Sequence, residues 1–419
     1  MLYTISSSIK KLEGQITLPT SKSISNRVLI INALAYSPYP IENLSDSDDT
    51  RVMEQVLNSN TNQFDIGHAG TAMRFLTAFL SKIVGEWEIT GSERMQQRPI
   101  KILVDALNRL GARILYAKEE GYPPLKIIGS NLQGGTLELD GSISSQYISA
   151  LLMIAPGIQD GLTLVLKNKI TSASYIELTL KLMAKFGIQY KWEGDKITIV
   201  QQAYRPIPFT VEADWSGASY WYQLAVLSQE TNLMLKGLQL DSLQGDCAQA
   251  LWFADFGIES KQESDGVRLI KTAAQLPSKF VQNFVENPDI AQTFAVMCVC
   301  KRIPFHFSGL ETLKIKETDR INALMVELGK LGADLYEPKH GELAWDGELN
   351  ETKFNSTVTI DTYHDHRMAL AFAPVAIVNG NIQINDPMVI TKSYPGYWDD
   401  LKTVGFEVSE MKRSLNNSN

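Results

Sequence analysis

The segment "LVDALNRLGARI", residues 103–114, combines a helical pattern with a glycine at its end. Its leucines recur at helical spacing before Gly111, and apolar residues alternate with polar ones after it. Glycine adopts the left-handed conformation that ends many helices, because it has no side chain to clash there. The segment therefore predicts a helix, a glycine C-cap and a strand.

Four later segments repeat this pattern. They are "LKLMAKFGIQY" with Gly187, "ALWFADFGIE" with Gly257, "LMVELGKLGADL" with Gly332 and "WDDLKTVGFEV" with Gly405. Counted from Gly111, successive glycines are 76, 70, 75 and 73 residues apart by subtraction of their numbers. Even spacing over five copies indicates an internal repeat, and the length suits six α/β units, most simply two domains of three. The segment "TRVMEQVLNSN", residues 50–60, is expected to be the helix of a degenerate first copy.

Composition and charge narrow the class of protein. At 419 residues the chain is long enough for two domains, and its net charge of −8 disfavours binding to nucleic acid or to a membrane surface. Cys247, Cys298 and Cys300 make no disulfide framework, and His364 and His366 lack a third metal ligand nearby. The start of the chain lacks a signal-peptide core, and no apolar stretch approaches 18 residues. We therefore expect a cytoplasmic protein without a bound metal.

The stretch "LPTSKSISNR", residues 18–27, places Lys22 and Arg27 at the start of an apolar helix. Its serines are ordinary helix caps, which would explain them without any ligand. Cations, however, are unfavourable at the positive end of the helix dipole unless an anion binds there. Both interpretations, a plain cap and an anion site, remain open for this stretch alone.

Similar polar groups precede the other expected helices. Upstream of the repeat glycines they are Arg98, Ser172, Tyr175, Lys316, Glu317, Arg320 and Lys392. At the entrances of the second helices they are Gly70, Ser144, Ser145, Gln146, Asp289, His366 and Arg367. We expect helices to start at these clusters, with Lys316 and Arg320 on one helix face. Caps and solvated charges are the alternatives, but the recurrence favours one binding region for phosphates and carboxylates.

Seven motifs occur in one order along nearly the whole chain: "LPTSKSISNR", "HAGTAMR", "RMQQRPI", "GSISSQ", "KETDR", "DHRMA" and "TKSYPGYWDDL". Together they resemble the EPSP synthase (3-phosphoshikimate 1-carboxyvinyltransferase) family of enolpyruvyl transferases. The resemblance implies a two-domain inside-out α/β barrel of six βαβαββ units, three per domain, with a cleft between the domains. It implies chain crossings near Pro19 and Ala213, so that residues 1–19 and 213–419 form one domain and residues 20–212 the other.

The resemblance also implies a reaction. The enolpyruvyl group of phosphoenolpyruvate would move to the 5-hydroxyl of shikimate 3-phosphate, giving 5-enolpyruvylshikimate 3-phosphate and phosphate. No metal or cofactor is implied. The expected partners are these two small molecules, with no nucleic acid and no membrane, and the chain is expected to be a monomer.

Residue roles follow from the matching motifs. The implied phosphoenolpyruvate contacts are Lys22, Gly70, Arg98, Gln146, Arg320, Arg367 and Lys392. The implied shikimate 3-phosphate contacts are Lys22, Ser23, Arg27, Ser144, Ser145, Gln146, Ser172, Tyr175, Asp289 and Lys316. Asp289 resembles the base that takes the 5-hydroxyl proton, and Glu317 the acid that protonates the methylene carbon. Lys22 and His366 complete the expected catalytic set.

Three positions depart from the family pattern, namely His68, Phe75 and Thr312. Two other functions remain open at this stage. A UDP-N-acetylglucosamine enolpyruvyl transferase usually has Lys-Asn where this chain has Lys22-Ser23, and a reactive cysteine in a loop that here, at residues 86–98, has none. A non-catalytic phosphometabolite-binding protein of the same fold would be expected to lose Asp289 or Glu317.

Overall fold

The computed structural model describes residues 1–168 and 170–411. The chain forms two compact units. The discontinuous unit consists of Met1–Pro19 and Ala213–Asn419, of which 412–419 lie outside the described residues. The inserted unit is Thr20–Glu212. The chain thus passes between units after Pro19 and before Ala213.

Helices and strands alternate through both units. The α-helices of the described residues are α1 (Lys22–Leu34), α2 (Asp48–Leu57), α3 (Gly70–Lys82), α4 (Lys101–Arg109), α5 (Ser145–Ile154), α6 (Ala173–Lys185), α7 (Trp215–Leu227), α8 (Gln249–Ala254), α9 (Ala291–Lys301), α10 (Arg320–Lys330), α11 (Glu351–Phe354), α12 (His366–Phe372), α13 (Ala376–Asn379) and α14 (Tyr397–Thr403). Short 3₁₀ helices cover Met95–Gln97, Ala155–Gly157, Gly245–Ala248, Pro288–Ile290, Glu311–Ile315, Ala373–Val375 and Pro387–Lys392.

The strands are β1 (Leu2–Ser6), β2 (Lys11–Thr17), β3 (Ile41–Glu42), β4 (Gln63–Asp65), β5 (Gly85–Thr90), β6 (Arg113–Tyr116), β7 (Leu125–Gly129), β8 (Gln133–Asp140), β9 (Gln159–Lys167), β10 (Lys191–Glu193), β11 (Lys196–Ile199), β12 (Phe209–Thr210), β13 (Glu230–Lys236), β14 (Ile258–Glu263), β15 (Gly266–Lys271), β16 (Phe280–Asn283), β17 (Phe305–Ser308), β18 (Leu343–Trp345), β19 (Thr359–Ile360), β20 (Asn381–Asn385) and β21 (Glu407–Glu410).

The sheets of the inserted unit repeat one topology. One sheet has the order β4-β5-β7-β6 and another the order β8-β9-β11-β10. In each, the first two strands are parallel and the remaining pairs antiparallel. The elements between them run βαβαββ along the chain, as expected. A short parallel pair of β3 and β12 belongs to the degenerate copy, whose helix is α2.

The discontinuous unit uses the same topology. The sheet β2-β13-β15-β14 again begins with a parallel pair. Along the chain, the whole inserted unit lies between β2 and β13. The order β19-β20-β1-β21 takes β1, from the start of the chain, as its third strand. The third sheet, β16-β17-β18, has three strands, whereas the other two have four. The mixed α/β fold predicted from the repeat is confirmed.

The five repeat glycines adopt the conformation that the sequence predicts. Their φ angles are +95°, +87°, +80°, +90° and +97°, in chain order from Gly111 to Gly405. Each follows the end of a helix, and the chain then turns into an extended segment. In the degenerate copy α2 ends at Leu57, and its C-cap residue Asn58 has a φ of −98°, so it lacks this glycine cap.

Helices buried on nearly all sides lie at the centre of each unit. In the inserted unit α3 packs against α1 and α5, and in the discontinuous unit α9 packs against α7 and α12. Every residue of α12 is buried, and Lys301 is the one residue of α9 that is not. A helix that is apolar all round belongs in a core. Polar side chains can gather at the ends of such a helix, and Gly70 and His366 are the first residues of α3 and α12.

None of the helices in the described part of the chain is both long enough and apolar enough to cross a membrane.

Candidate active site

Asp289 is the centre of a cluster of cations in the discontinuous unit. It lies in the 3₁₀ helix that leads into α9, with its side chain only 16% exposed. Its Oδ1 lies 3.0 Å from Nη1 of Arg320 and 3.6 Å from Nζ of Lys316. Its Oδ2 lies 3.2 Å from Nη2 of Arg367, at the start of α12. Helix α10, helix α12 and the segment before α10 thus supply one cation each to a single carboxylate.

Glu317 occupies the other side of the same guanidinium group. Its Oε2 lies 2.9 Å from Nη2 of Arg320, and its Oε1 lies 2.5 Å from Nζ of Lys392. Its side chain is 14% exposed. The two carboxylates proposed for proton transfer are therefore held by one shared arginine.

Asp365 fixes that arginine from behind. Its carboxylate is fully buried and accepts from Nε of Arg320 at 2.6 Å and from Nη2 at 3.3 Å. It also accepts the backbone N–H of Arg367 at 2.9 Å, which makes it the N-cap of α12. His366 is buried beside it, with Nδ1 3.7 Å from Oδ1 of Asp365. Asp365 lies inside the "DHRMA" motif but is not among the predicted site residues.

Neighbouring charges favour the ionised forms of Asp289 and Arg320. Burial alone would raise the pKa of Asp289, but Arg367, Lys316 and Arg320 together hold it well below its usual value. Burial lowers the pKa of Lys316, although Asp289 opposes this effect. For Arg320 burial is outweighed by Asp365, Glu317 and Asp289, so its pKa is raised. Asp289 is thus a carboxylate at neutral pH, as a proton acceptor must be.

The pKa of another buried carboxylate, Asp246, shifts in the opposite direction. Desolvation and the nearby charge of Asp289 raise its pKa to about 6, although its hydrogen bonds oppose the shift. It accepts from the hydroxyl of Ser216 at 2.5 Å and from the amide of Asn287 at 3.1 Å. Neighbouring carboxylates with pKa values on either side of the usual range are typical of catalytic sites.

The local structure around these residues corrects part of the sequence-based interpretation. Lys316 and Glu317 do not lie in a helix with Arg320, since α10 begins at Arg320 with Asp319 as its cap. Lys316 instead follows the 3₁₀ helix Glu311–Ile315. Lys392 likewise ends a 3₁₀ helix rather than starting α14. Spacing from the glycine placed these cations near a helix start, but could not resolve the intervening 3₁₀ turns.

In the inserted unit, Lys22 is the first residue of α1 and Ser21 is its cap. Nζ of Lys22 lies 3.2 Å from Oδ2 of Asp49, in α2. The Asp49 side chain is only 3% exposed, against 19% for Lys22. The buried carboxylate of Asp49 therefore offsets the unfavourable position of Lys22 at the helix start. Asp49 is not among the predicted site residues.

Arg27 lies in the second turn of α1 rather than at its start, and is buried. It donates to the hydroxyl of Thr179 at 2.7 Å, to the carbonyl of Ser23 at 2.8 Å and to the hydroxyl of Ser149 at 3.3 Å. Its guanidinium also lies 6.0 Å from the centre of the Tyr175 ring. Burial lowers the pKa of Arg27 to about 10, so it remains charged at neutral pH. Arg27 thus joins α1 to α5 and α6.

Gly70 and Arg98 are in direct contact. Gly70 is the first residue of α3, and a Cβ atom there would lie 2.5 Å from Nη1 of Arg98. The loop that carries Arg98 is held by Arg74, which donates to the carbonyl of Gly70 at 2.9 Å and to that of Pro99 at 3.5 Å. The absence of a side chain at position 70 lets the guanidinium lie against the helix end. Arg98 precedes α4, which begins at Lys101.

The remaining polar candidates lie at the starts of α5 and α6. Ser144 caps α5 by accepting from the backbone N–H of Gln146 at 3.4 Å. The Gln146 amide donates to the hydroxyl of Thr71, in the first turn of α3, at 3.2 Å. Ser145 is the first residue of α5, and Ser172 caps α6 with a φ of +55°. The structure thus joins the ends of α3 and α5, as the recurrence of polar helix starts predicts.

Within residues 1–168 and 170–411, no group of three or more histidine, cysteine, aspartate or glutamate side chains could hold a metal ion.

The protein-family model for EPSP synthase (3-phosphoshikimate 1-carboxyvinyltransferase) matches residues 6–59 and 55–401 of this chain. The chain belongs to the EPSP synthase family. A 3-phosphoshikimate 1-carboxyvinyltransferase of Bacteroides fragilis is 51% identical over 409 residues, which cover 97% of this chain and 99% of that protein. One of Pseudoalteromonas translucida is 37% identical over 425 residues, covering 94% and 98%. The solved EPSP synthase of Acinetobacter baumannii has the same fold, with a TM-score of 0.76 at 20% identity and coverage of 98% and 100%.

The structure places the three residues that depart from the pattern of the EPSP synthase family. His68 Nδ1 lies 2.9 Å from the hydroxyl of Ser92. Phe75 is buried inside α3, and the Arg27 guanidinium lies 5.4 Å from its ring centre. Thr312 lies in the 3₁₀ helix Glu311–Ile315.

Proposed function

We propose that this chain transfers the enolpyruvyl group of phosphoenolpyruvate to the 5-hydroxyl of shikimate 3-phosphate. The products are phosphate and 5-enolpyruvylshikimate 3-phosphate, on the route to chorismate and the aromatic amino acids. Family membership and the name carried by both relatives support the reaction. The observation that carries the proposal is the pair of carboxylates, Asp289 and Glu317, held on one buried guanidinium.

Asp289 is the proposed base. The reaction must remove a proton from an alcohol, which is a weak acid, so the acceptor has to be ionised and well placed. The surrounding cations keep Asp289 in that state at neutral pH. Lys316, 3.6 Å from its Oδ1, would attract the same shikimate 3-phosphate and bring the hydroxyl towards the base.

Glu317 is the proposed acid that protonates the methylene carbon. It is paired with Arg320 and Lys392. An anionic ligand competes for these two cations, and each lost contact makes the carboxylate easier to protonate. Binding of phosphoenolpyruvate would therefore prepare Glu317 to carry the proton that the carbon receives.

The other assignments follow from the matching motifs. We propose Lys22, Gly70, Arg98, Gln146, Arg320, Arg367 and Lys392 for phosphoenolpyruvate. We propose Lys22, Ser23, Arg27, Ser144, Ser145, Gln146, Ser172, Tyr175, Asp289 and Lys316 for shikimate 3-phosphate. Charge-assisted hydrogen bonds from arginine and lysine suit phosphates and carboxylates. Lys22 and His366 are proposed beside the reacting groups.

Phosphate release tests the reaction. The purified protein should release phosphate from phosphoenolpyruvate only when shikimate 3-phosphate is also present, and EDTA should not change the rate. Parallel reactions with UDP-N-acetylglucosamine as acceptor test the sister activity. Binding of both substrates without turnover would instead indicate a non-catalytic protein, and loss of activity in EDTA that a divalent ion restores would contradict the cofactor-free reaction.

We also propose that the chain acts as a monomer in the cytoplasm, without nucleic-acid or membrane partners. Sedimentation equilibrium, with and without the two substrates, measures the oligomeric state directly.

A further inference from the structure

Glu327 is a fully buried carboxylate on α10, two turns after Arg320. Its Oε1 accepts the hydroxyl of Tyr363 at 2.6 Å, and its Oε2 accepts the backbone N–H of Asp361 at 3.1 Å. Nζ of Lys330 lies 2.6 Å from Oε2. A buried carboxylate with this many donors is well satisfied. None of the proposed substrate contacts includes it.

The segment that Glu327 holds has an unusual backbone. Tyr363 and His364 have φ angles of +54° and +56°. Two successive residues other than glycine in this region are uncommon, and they persist only where the surroundings hold them. Asp361 is held in addition by Lys330 at 2.9 Å and by the amide of Asn385 at 3.1 Å.

This turn, residues 361–365, leads directly into the ionic cluster. Its last residue, Asp365, caps α12 and pairs with Arg320. Helix α10 therefore contacts the turn at two places, through Arg320 at its start and through Glu327 about 10 Å further along the helix. Two attachments on one rigid helix fix the orientation of the turn, and with it the direction in which α12 begins.

We propose that Glu327 and Tyr363 are positioning residues for the reaction. By holding the 361–365 turn they orient His366 and Arg367 relative to Arg320. Neither is a catalytic residue in this assignment. The expected change in kinetics rests on the proposed function, because that function assigns Arg367 and Arg320 to phosphoenolpyruvate. The expected effect on the 361–365 turn does not depend on it.

Tyr363→Phe and Glu327→Gln test the inference. Phenylalanine keeps the ring and removes only the hydroxyl, while glutamine keeps the size of Glu327 and removes its charge. Small displacements of a binding group can cost up to about 100-fold in rate, so we expect kcat/KM for phosphoenolpyruvate to fall by about 10-fold or more. The KM for shikimate 3-phosphate should change less. Hydrogen–deuterium exchange of the peptide that spans 361–367 should become faster in both variants.

Two control variants separate positioning from general destabilisation. Glu351→Gln removes an exposed ion pair with Arg302 in the same unit, and Val267→Ala removes buried methyl groups from β15. Glu351→Gln should leave both readouts unchanged. Val267→Ala should lower the melting temperature while leaving KM for phosphoenolpyruvate and exchange at 361–367 unchanged.

Each outcome decides the inference. Faster exchange at 361–367 with a lowered kcat/KM for phosphoenolpyruvate supports it. Unchanged exchange overturns it, and so does faster exchange with wild-type kinetics. If Glu327→Gln does not fold, Tyr363→Phe decides alone, since it removes one hydroxyl from a half-buried ring. An inactive wild-type protein would contradict the proposed function instead, and exchange would still show whether Glu327 and Tyr363 hold the turn.

Discussion

Arg320 and Asp365 form a buried ion pair through two contacts, with Nε 2.6 Å from Oδ2 and Nη2 3.3 Å from Oδ1. Their side chains are 2% and 0% exposed. The same carboxylate caps α12 through the backbone N–H of Arg367. One aspartate therefore fixes both a cation shared by the two proposed proton-transfer groups and the first turn of a site helix.

Asp365→Asn should weaken both stability and substrate binding. Removing one partner of a buried pair typically costs about 3–5 kcal/mol. Arg320 keeps its contacts with Asp289 and Glu317, so the loss should lie at the lower end of this range. We expect the free energy of unfolding, measured in urea, to fall by this order and KM for phosphoenolpyruvate to rise. Asp386→Asn is the matched control, because Asp386 pairs with the exposed His364 in the same unit. Equal stability of the two variants would show that Arg320 does not depend on Asp365.

Gly70→Ala should displace Arg98. The added Cβ would lie 2.5 Å from Nη1 of Arg98, closer than atoms can approach, so the guanidinium must move. We expect weaker phosphoenolpyruvate binding in calorimetry, in the same direction as Arg98→Ala. Gly329→Ala is the control, since an added Cβ within α10 meets no atom within 4 Å. It should leave binding unchanged and stabilise the protein slightly, as alanine favours a helix over glycine by about 1 kcal/mol. Wild-type affinity in Gly70→Ala would argue against a role for the Gly70–Arg98 contact.

Features that depend on local sequence were predictable. The five glycine caps follow from the conformational freedom of one residue type, and the buried helices follow from continuous apolar runs. Gly70, Gln146 and Arg367 could be placed at helix starts for the same reason. These inferences need only short-range rules, namely capping and periodicity.

Features that depend on long-range pairing were not predictable. Asp49 and Asp365 each lie near a helix start, where an acidic residue is explained by the helix dipole alone. Their partners are 27 and 45 residues away, so nothing local shows that Lys22 and Arg320 need them. Glu327 would be interpreted as a solvated charge on an amphipathic helix. Only the packed fold shows it buried against Tyr363.

Glu317→Gln should separate chemistry from binding. Glutamine keeps the shape of the side chain but cannot deliver the proton, so turnover should fall by about 100-fold or more. Calorimetric affinity for shikimate 3-phosphate should change little, because Lys316 and Asp289 keep their places. Arg98→Ala, made in the same way, should instead raise KM for phosphoenolpyruvate. Near-normal turnover of Glu317→Gln would remove Glu317 from the proton-transfer step.

Asp246 should make stability fall as the pH rises. Its pKa is raised from 3.8 to about 6 in the folded protein, chiefly by burial. Between these values the folded state binds more protons at this position than the unfolded chain, so the free energy of unfolding decreases with increasing pH. The contribution of Asp246 to the free energy of unfolding is fully present below about pH 4 and is lost as the pH passes about 6. A shift of about two pKa units corresponds to about 3 kcal/mol.

Asp246→Asn tests this linkage, because asparagine does not titrate. The difference in the free energy of unfolding between wild type and variant, measured in urea from pH 4.5 to 7.5, should shift in favour of the variant as the pH rises. The shift should level off above pH 7, where Asp246 is ionised in both states. Asp255→Asn, on the exposed end of α8, supplies the control and should show no such trend. A difference that is constant across the range would mean that Asp246 titrates near its ordinary pKa and that burial does not hold its proton.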